Sequence, residues 1–307
     1  VIDDLDRVEA TAAKIAAAAG ARALEAFNLP RTLEFKGRKQ DDPVTVTDRA
    51  TEEFLRRELR AAFPSHGVLG EEQADDIEPG ARLVWALDPL DGTANFAAGL
   101  PLWGVSMGLL FDGSPVVGCI FTPFGPRLQP GVYHARLGAG AWFDDQPLAV
   151  AAASDERGRI MTLPGAYWRA FRLRLPPRGT PRPQRLLPDA RSLGSCTAEL
   201  VYVAAGALRA TVFISPKIWD VAAGGLIVQE AGGLTLTWRA GCWERLAHFE
   251  PRPPARGDGP PALRNWSQPV IAGAPDAVDR LVGRLAWHPR LPRALRRLIH
   301  GLTAARR

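Results

Sequence analysis

The apolar run Leu83-Val84-Trp85-Ala86-Leu87 leads straight into Asp88-Pro89-Leu90-Asp91-Gly92-Thr93, and this junction constrains the chain more than any other stretch. It reads as a strand that delivers two carboxylates, three residues apart, into a turn ending in Gly and Thr. Pro89 has no backbone donor and a locked φ, so the turn is stiff. Stiffness suits two acids that share hard cations, because Mg²⁺ demands near-octahedral oxygen geometry. The free amides of Gly92 and Thr93, at a helix start, are placed to receive a phosphate. A plain reading, an Asp-Pro turn followed by an Asx-type helix cap, competes with this one.

Composition bounds the answer without deciding it. A chain of 307 residues makes one large domain or two modest ones, with ample length for a core. No stretch approaches the roughly 20 apolar residues of a membrane span, and the N-terminus lacks the pattern of a secretory signal. Cys119, Cys196 and Cys242 form neither a disulfide framework nor a zinc motif, so a reducing cytoplasm is the expected location. The net charge of +5 is concentrated: six arginines and no acid lie in 288–307, and the rest of the chain is close to neutral. The charge therefore belongs to a tail and does not indicate a nucleic-acid-binding fold.

Periodicity predicts a helix over 3–27, a short strand Val44-Thr45-Val46, and a second helix capped by Thr47 or Asp48. Strands follow at Trp103 to Phe111 and Pro115 to Phe121, joined by the hairpin signal Asp112-Gly113, then at Gly131 to Arg136 and Trp142-Phe143. Residues 172–190, rich in Pro and Arg, read as a loop or linker between lobes. Beyond them come a helix from Thr197 to Leu208, a strand from Ala210 to Ile214, a helix from Trp219 to Ala231, and strands at Leu234 to Trp238 and Pro269 to Ala272. The expected division is an N-terminal α+β lobe (1–150), a C-terminal α/β lobe (151–287) and a basic amphipathic tail (288–307).

Three further acids sit at strand ends or helix starts, where α/β folds build their sites: Asp48, Glu71 and Asp220. Each alone reads equally well as a cap or a solvated charge. Several converging carboxylates cannot all stay ionised without cations. Two or three Mg²⁺ reconcile them, and two metals about 3.5–4 Å apart recur in enzymes that attack phosphorus in line.

On Gly70-Glu71-Glu72, on Trp85 to Phe96, and on Trp219-Asp220-Val221-Ala222-Ala223-Gly224 running to Glu230-Ala231-Gly232-Gly233, the chain resembles the inositol monophosphatase family of Mg²⁺-dependent, lithium-sensitive phosphatases. Asp42 to Asp48, Gly138-Ala139-Gly140-Ala141 and Gly194-Ser195 support the resemblance, which spans roughly 5–285 in order and spacing. It implies a layered α/β/α/β/α sandwich of the inositol monophosphatase and fructose-1,6-bisphosphatase type, and a homodimer. It also implies metal ligation by Glu71, Asp88, the Leu90 carbonyl, Asp91 and Asp220. Asp48 and Thr93 match the pair that orients and deprotonates the attacking water, and Glu71 belongs to the same catalytic group. The amides of Gly92 and Thr93 match the phosphate-holding turn. The implied reaction is direct attack of water on a phosphomonoester, without a phosphoenzyme.

The departures concern substrate. Inositol-hydrolysing members carry a Glu seven residues before the Asp of Trp-Asp; here that position is Phe213, and a nearby family acid is replaced by Arg209. An apolar ring cannot accept hydrogen bonds from a polyol, and unpaired hydroxyls weaken recognition. Asp91, Gly194, Ser195, Arg209, Phe213, Lys217 and Asp220 therefore line the expected substrate region, with Arg209 and Lys217 favouring a bisphosphate or a nucleotide-like 3′-phosphate. Histidinol phosphate is a further family substrate. Trp85, Trp103 and Trp219 read as packing residues, and His66, His134 and His248 as structural or solvated. Leu291, Leu295, Leu298, Ile299 and Leu302 share one face of the tail, which suits a membrane surface, an RNA or a packed helix. A regulatory protein built on a phosphatase scaffold is the rival reading.

Overall fold

The computed structural model describes residues 4–28, 33–35, 43–125, 129–153, 160–163, 171–173, 189–252, 262–283 and 285–287. The basic tail lies outside them, as does most of 172–190.

Five layers stack along one axis. The first holds α1 (Leu5–Phe27), capped by the Asp4 side chain, and α2 (Val46–Ala62). The short strands β1 (Leu33–Phe35) and β2 (Pro43–Thr45) pair antiparallel between them in sequence. The second layer is a seven-stranded sheet in simple chain order: β3 (Gly67–Gly70), β4 (Leu83–Asp91), β5 (Gly104–Phe111), β6 (Ser114–Thr122), β7 (Gly131–Arg136), β8 (Ala141–Phe143) and β9 (Gln146–Pro147). Only β3 and β4 of this sheet run parallel. A six-residue helix, α3 (Thr93–Ala98), follows β4.

The fourth layer is a six-stranded sheet built from β10 (Ile160–Thr162), β12 (Asp189–Arg191), β13 (Ala210–Phe213), β14 (Leu234–Arg239), β15 (Cys242–Arg245) and β16 (Val270–Gly273), in the order β12-β10-β13-β16-β14-β15. Strand β11 (Phe171–Leu173) pairs separately with β17 (Leu285–Trp287). Between the two large sheets lie α4 (Cys196–Ala204) and α5 (Ile218–Glu230), and α6 (Pro275–Val282) covers the far face.

Burial explains the stack. Val8, Ala12, Ile15, Leu55 and Leu59 of the first layer meet Trp85, Leu87, Met107 and Val117 on one face of the first sheet. Ala86, Ile120 and Tyr133 on its other face share a core with Leu200, Val221, Ala222 and Ile227, and with Phe213 and Ala272 of the second sheet. Helix α5 is apolar almost all round because it is enclosed on both sides. Its close approach needs glycine in the sheet: a Cβ on Gly118 would lie 2.7 Å from the Ala223 carbonyl. The first large sheet ends in chain order with β9, and the second begins with β10.

His66 and His134 are structural. The Trp85 indole donates to His66 Nδ1 at 3.1 Å, and the imidazole stacks on Phe63. His134 sets Nδ1 2.7 Å from Glu9 of α1 and Nε2 2.8 Å from the Asp144 carbonyl. Two acceptors facing both ring nitrogens favour the doubly protonated ring. Burial opposes that charge, but the Glu9 carboxylate and the Asp144 carbonyl outweigh it and raise the His134 pKa.

Candidate active site

The site grows from the parallel pair β3 and β4. Gly70 stands opposite Leu87, and the Glu71 amide extends the ladder by donating to the Leu87 carbonyl at 3.2 Å. Glu71 therefore leaves its strand beside the point where Asp88 follows Leu87. The sequence reading puts Asp88 to Thr93 in a turn, but the strand continues to Asp91, with a register shift between Asp88 and Asp91. That irregularity lets Pro89, which has no amide donor, sit in a central strand. The Leu90 amide folds back onto Asp88 Oδ1 at 3.0 Å. Gly92 then takes φ +86°, and a Cβ there would sit 2.7 Å from the Leu102 carbonyl, so only glycine fits the exit. Thr93 opens α3 and donates its hydroxyl to the Leu90 carbonyl at 3.0 Å.

The second half of the chain supports Asp91 and adds Asp220. Ser195 caps α4 by accepting from the Ala198 amide at 3.1 Å. The same hydroxyl donates to Asp91 Oδ2 at 2.6 Å, joined there by the Thr197 amide at 2.6 Å and the Thr197 hydroxyl at 2.7 Å. Asn95 ties α3 to this corner through the Leu102 and Leu193 carbonyls. Helix α5 begins at Ile218 after Lys217, so Asp220 is its third residue and accepts the Lys217 amide on Oδ2 at 2.7 Å.

Electrostatics shows that these acids form one unit. Burial, then the charges of Glu71, Asp91 and Asp220, push the Asp88 carboxyl well above the ordinary range against the Leu90 amide. Burial and Asp91, with Glu71 adding, do the same to Asp220, while the Lys217 amide and ammonium oppose. Asp91 is raised by burial despite its bonds from Ser195, Thr197 and Gly92. The half-buried Cys196 thiol is raised by desolvation and then by Asp220, Asp91, Glu199 and Asp88. Among the described residues no three such side chains close into a ready-made ion cage. The four carboxylates share a field rather than a common centre.

The remaining candidates divide. Asp48 is buried in the first turn of α2 and is not its cap, because the helix already starts at Val46. Strand β2 lies alongside α3 and runs directly into α2, which brings Asp48 toward the segment carrying Thr93. Gly194 is exposed beside Asn95, and Lys217 is exposed at the start of α5. Arg209 is engaged elsewhere. It is buried, with its guanidinium held by the Ala151 and Ala152 carbonyls and by Asp276 of α6. Phe213 pairs with Val270 and belongs to the central core, so its ring is packing.

Sequence reasoning missed Thr197, whose only signal was its place two residues after Ser195, and the clamp on the Glu71 loop. Fully buried Glu52 accepts from Arg56 Nε at 2.7 Å, the Glu72 amide at 2.8 Å and the Gln73 amide at 3.1 Å.

Comparison with known proteins agrees with this fold. Residues 4–272 match the inositol monophosphatase family. The chain is 33% identical over 220 residues to the Nus factor SuhB of Xylella fastidiosa (72% of this chain, 78% of that protein). It is 32% identical to the inositol-1-monophosphatase of Bacillus subtilis (71% and 81%), and 34% identical to the histidinol-phosphatase of Chlorobaculum parvum (74% and 85%). Among solved structures, the inositol monophosphatase of Anabaena superposes with a TM-score of 0.65 at 25% identity, covering 92% of this chain and 97% of that one. With its five layers, its acid cluster around buried Asp88 and these relatives, the chain belongs to the inositol monophosphatase family.

Proposed function

We propose that the protein is a Mg²⁺-dependent phosphomonoesterase acting on a small sugar-, polyol- or nucleotide-type phosphate. One observation carries this reading: Glu71, Asp91 and Asp220, from three separate segments, crowd Asp88 at the mouth of β4, and their charges add to burial in pushing its carboxyl well above the ordinary range. The donor set fits a hard divalent cation, being all oxygen, with Asp88 Oδ2 and Asp220 Oδ1 outside the hydrogen bonds that hold each partner oxygen.

Glu71, Asp88, the Leu90 carbonyl, Asp91 and Asp220 would hold two or three Mg²⁺. When bound, the ions would relieve the crowded carboxylates, acidify a water and neutralise phosphoryl charge. The chain's own residues do the rest. Ser195 and Thr197 fix the Asp91 carboxylate. The Thr93 hydroxyl donates a hydrogen bond to the Leu90 carbonyl, so its lone pairs are turned to accept from the attacking water. Asp48 takes the proton that the water loses. The Thr93 amide would hold the phosphate, because the Gly92 amide is already turned to the Asp91 carboxylate.

Burial of Phe213 and Arg209 narrows the substrate. Neither offers a polar group to a polyol, which argues against efficient hydrolysis of myo-inositol 1-phosphate. Lys217 is the exposed cation beside Asp220, so a substrate with a second anionic group suits the site best. We take the working assembly to be a cytoplasmic homodimer, inhibited by Li⁺ like its family. Among the described residues no helix is long and apolar enough to cross a membrane. Likeness to a protein described as a Nus factor supports a second reading, regulation through a nucleic-acid or membrane contact of 288–307. Phosphate release from inositol, histidinol, bisphosphate and 3′-nucleotide monoesters, with and without Mg²⁺ and Li⁺, separates the two. Mg²⁺-dependent turnover of any of them supports the enzyme; silence across the panel favours regulation.

A further inference from the structure

We propose that Arg264 is a positioning residue that sets the separation of Glu71 and Asp220, and so the affinity of the acid cluster for Mg²⁺; this rests on the reading of that cluster as a metal site. Arg264 sits in the 3₁₀ turn Leu263–Asn265, far in sequence from every acid of the site. Its Nη2 donates to the Gly70 carbonyl at 2.8 Å and the Gln73 carbonyl at 3.4 Å, and its Nε donates to Asp75 at 3.1 Å. These contacts grip the loop on both sides of Glu71. The guanidinium carbon also lies 5.9 Å from the centroid of the Trp219 ring, and Asp220 is the next residue. One planar cation thus touches the segments that carry both outlying acids.

Its own anchor is firm. Asn265 donates to the Arg252 carbonyl at 3.0 Å, and Ser267 pairs with Lys217, the residue that precedes α5. Arg264 is therefore fixed with respect to the start of the helix that bears Asp220. On the opposite side, Glu52 ties Glu72 and Gln73 to α2, which holds the loop but makes no link toward Asp220. The Asp75 ion pair, half-exposed, is worth little by itself. The carbonyl bonds and the ring contact are what span the site, and only a fork with several donors can make them together.

The test uses the full chain stripped with EDTA, with Mg²⁺ half-saturation read twice: from the rise in Tm and from phosphate release. Arg264→Met should weaken Mg²⁺ by about tenfold on both readouts, within the range seen when partners of metal ligands are removed. Arg264→Lys should fall between, since Lys can reach one carbonyl but cannot reproduce the fork. Asp75→Asn, which removes only the ion pair, should match the wild type. An unchanged half-saturation in Arg264→Met, even with a lower Tm in EDTA, overturns the proposal. Where Arg264→Met does not fold, wild-type Mg²⁺ affinity in Arg264→Lys overturns it instead. A wild type that shows no Mg²⁺ response on either readout removes the metal reading, and this proposal with it.

Discussion

Glu52→Gln is the sharpest test of how the Glu71 loop is held. The substitution keeps shape and removes one charge from a fully buried site where Glu52 meets Arg56 Nε at 2.7 Å and two loop amides. Arg56 is itself 5% exposed, so its guanidinium is left buried without a counter-charge. Breaking a buried pair in this way costs about 3–5 kcal/mol. At roughly 2 °C per kcal/mol for a protein of this size, Tm should fall by about 6–10 °C. The double variant Glu52→Gln, Arg56→Met removes both charges and should recover much of that loss, because two apolar or neutral groups no longer need each other. The assay is urea denaturation of the four members of the cycle in EDTA, so that metal does not contribute. A single-variant loss below about 1 kcal/mol, or no recovery in the double variant, refutes the claim that this pair is desolvated and coupled.

Other outcomes follow from the same structure. Thr197→Val deletes one of three donors on Asp91 Oδ2 and should weaken Mg²⁺ about tenfold, read from the Mg²⁺ dependence of Tm; an unmoved midpoint counts against the role. Gly92→Ala forces an L side chain into φ +86° against the Leu102 carbonyl and should cost more than about 1 kcal/mol, measured by denaturant unfolding; full stability would show that the exit from β4 is not tight. His134 has a raised pKa, so the stability it contributes is complete below about pH 6.5 and fades as pH rises through its folded value. His134→Gln should flatten the fall in Tm between neutral and mildly alkaline pH, and an identical pH profile would contradict the charged ring.

What was legible in the chain was local. The 3.6-residue spacing of Val8, Ala12, Ile15 and Ala19 fixes α1 to within two residues, and Asp112 and Gly113 take the positive φ values, 46° and 85°, that their hairpin requires. The acid cluster was legible because its members lie in short ordered motifs at strand and helix ends. The behaviour of Asp88 to Asp91 was not, since a proline argues against a strand and only the irregular pairing with β5 accommodates it. Three-residue strands such as β10 and β12 carry too little pattern to be seen, and their partners are remote. Arg209 was misread for the same reason: its partners Ala151, Ala152 and Asp276 are more than fifty residues away, and a lone arginine gives no local sign of burial. Phe213 stands where the family resemblance leads one to expect an acid, and nothing nearby shows that its ring turns into the core.

The central claim is that Asp88, buried at 2% exposure among Glu71, Asp91 and Asp220, exists to hold a divalent cation for phosphoryl chemistry. Asp88→Asn keeps the shape of that residue and removes its charge. Phosphate release in Mg²⁺, measured side by side for wild type and Asp88→Asn on the substrate the wild type turns over best, is the direct test. The expected result is near-complete loss of Mg²⁺-dependent turnover in a variant that remains folded and, in EDTA, is no less stable than the wild type. Unchanged turnover in Asp88→Asn would contradict the account.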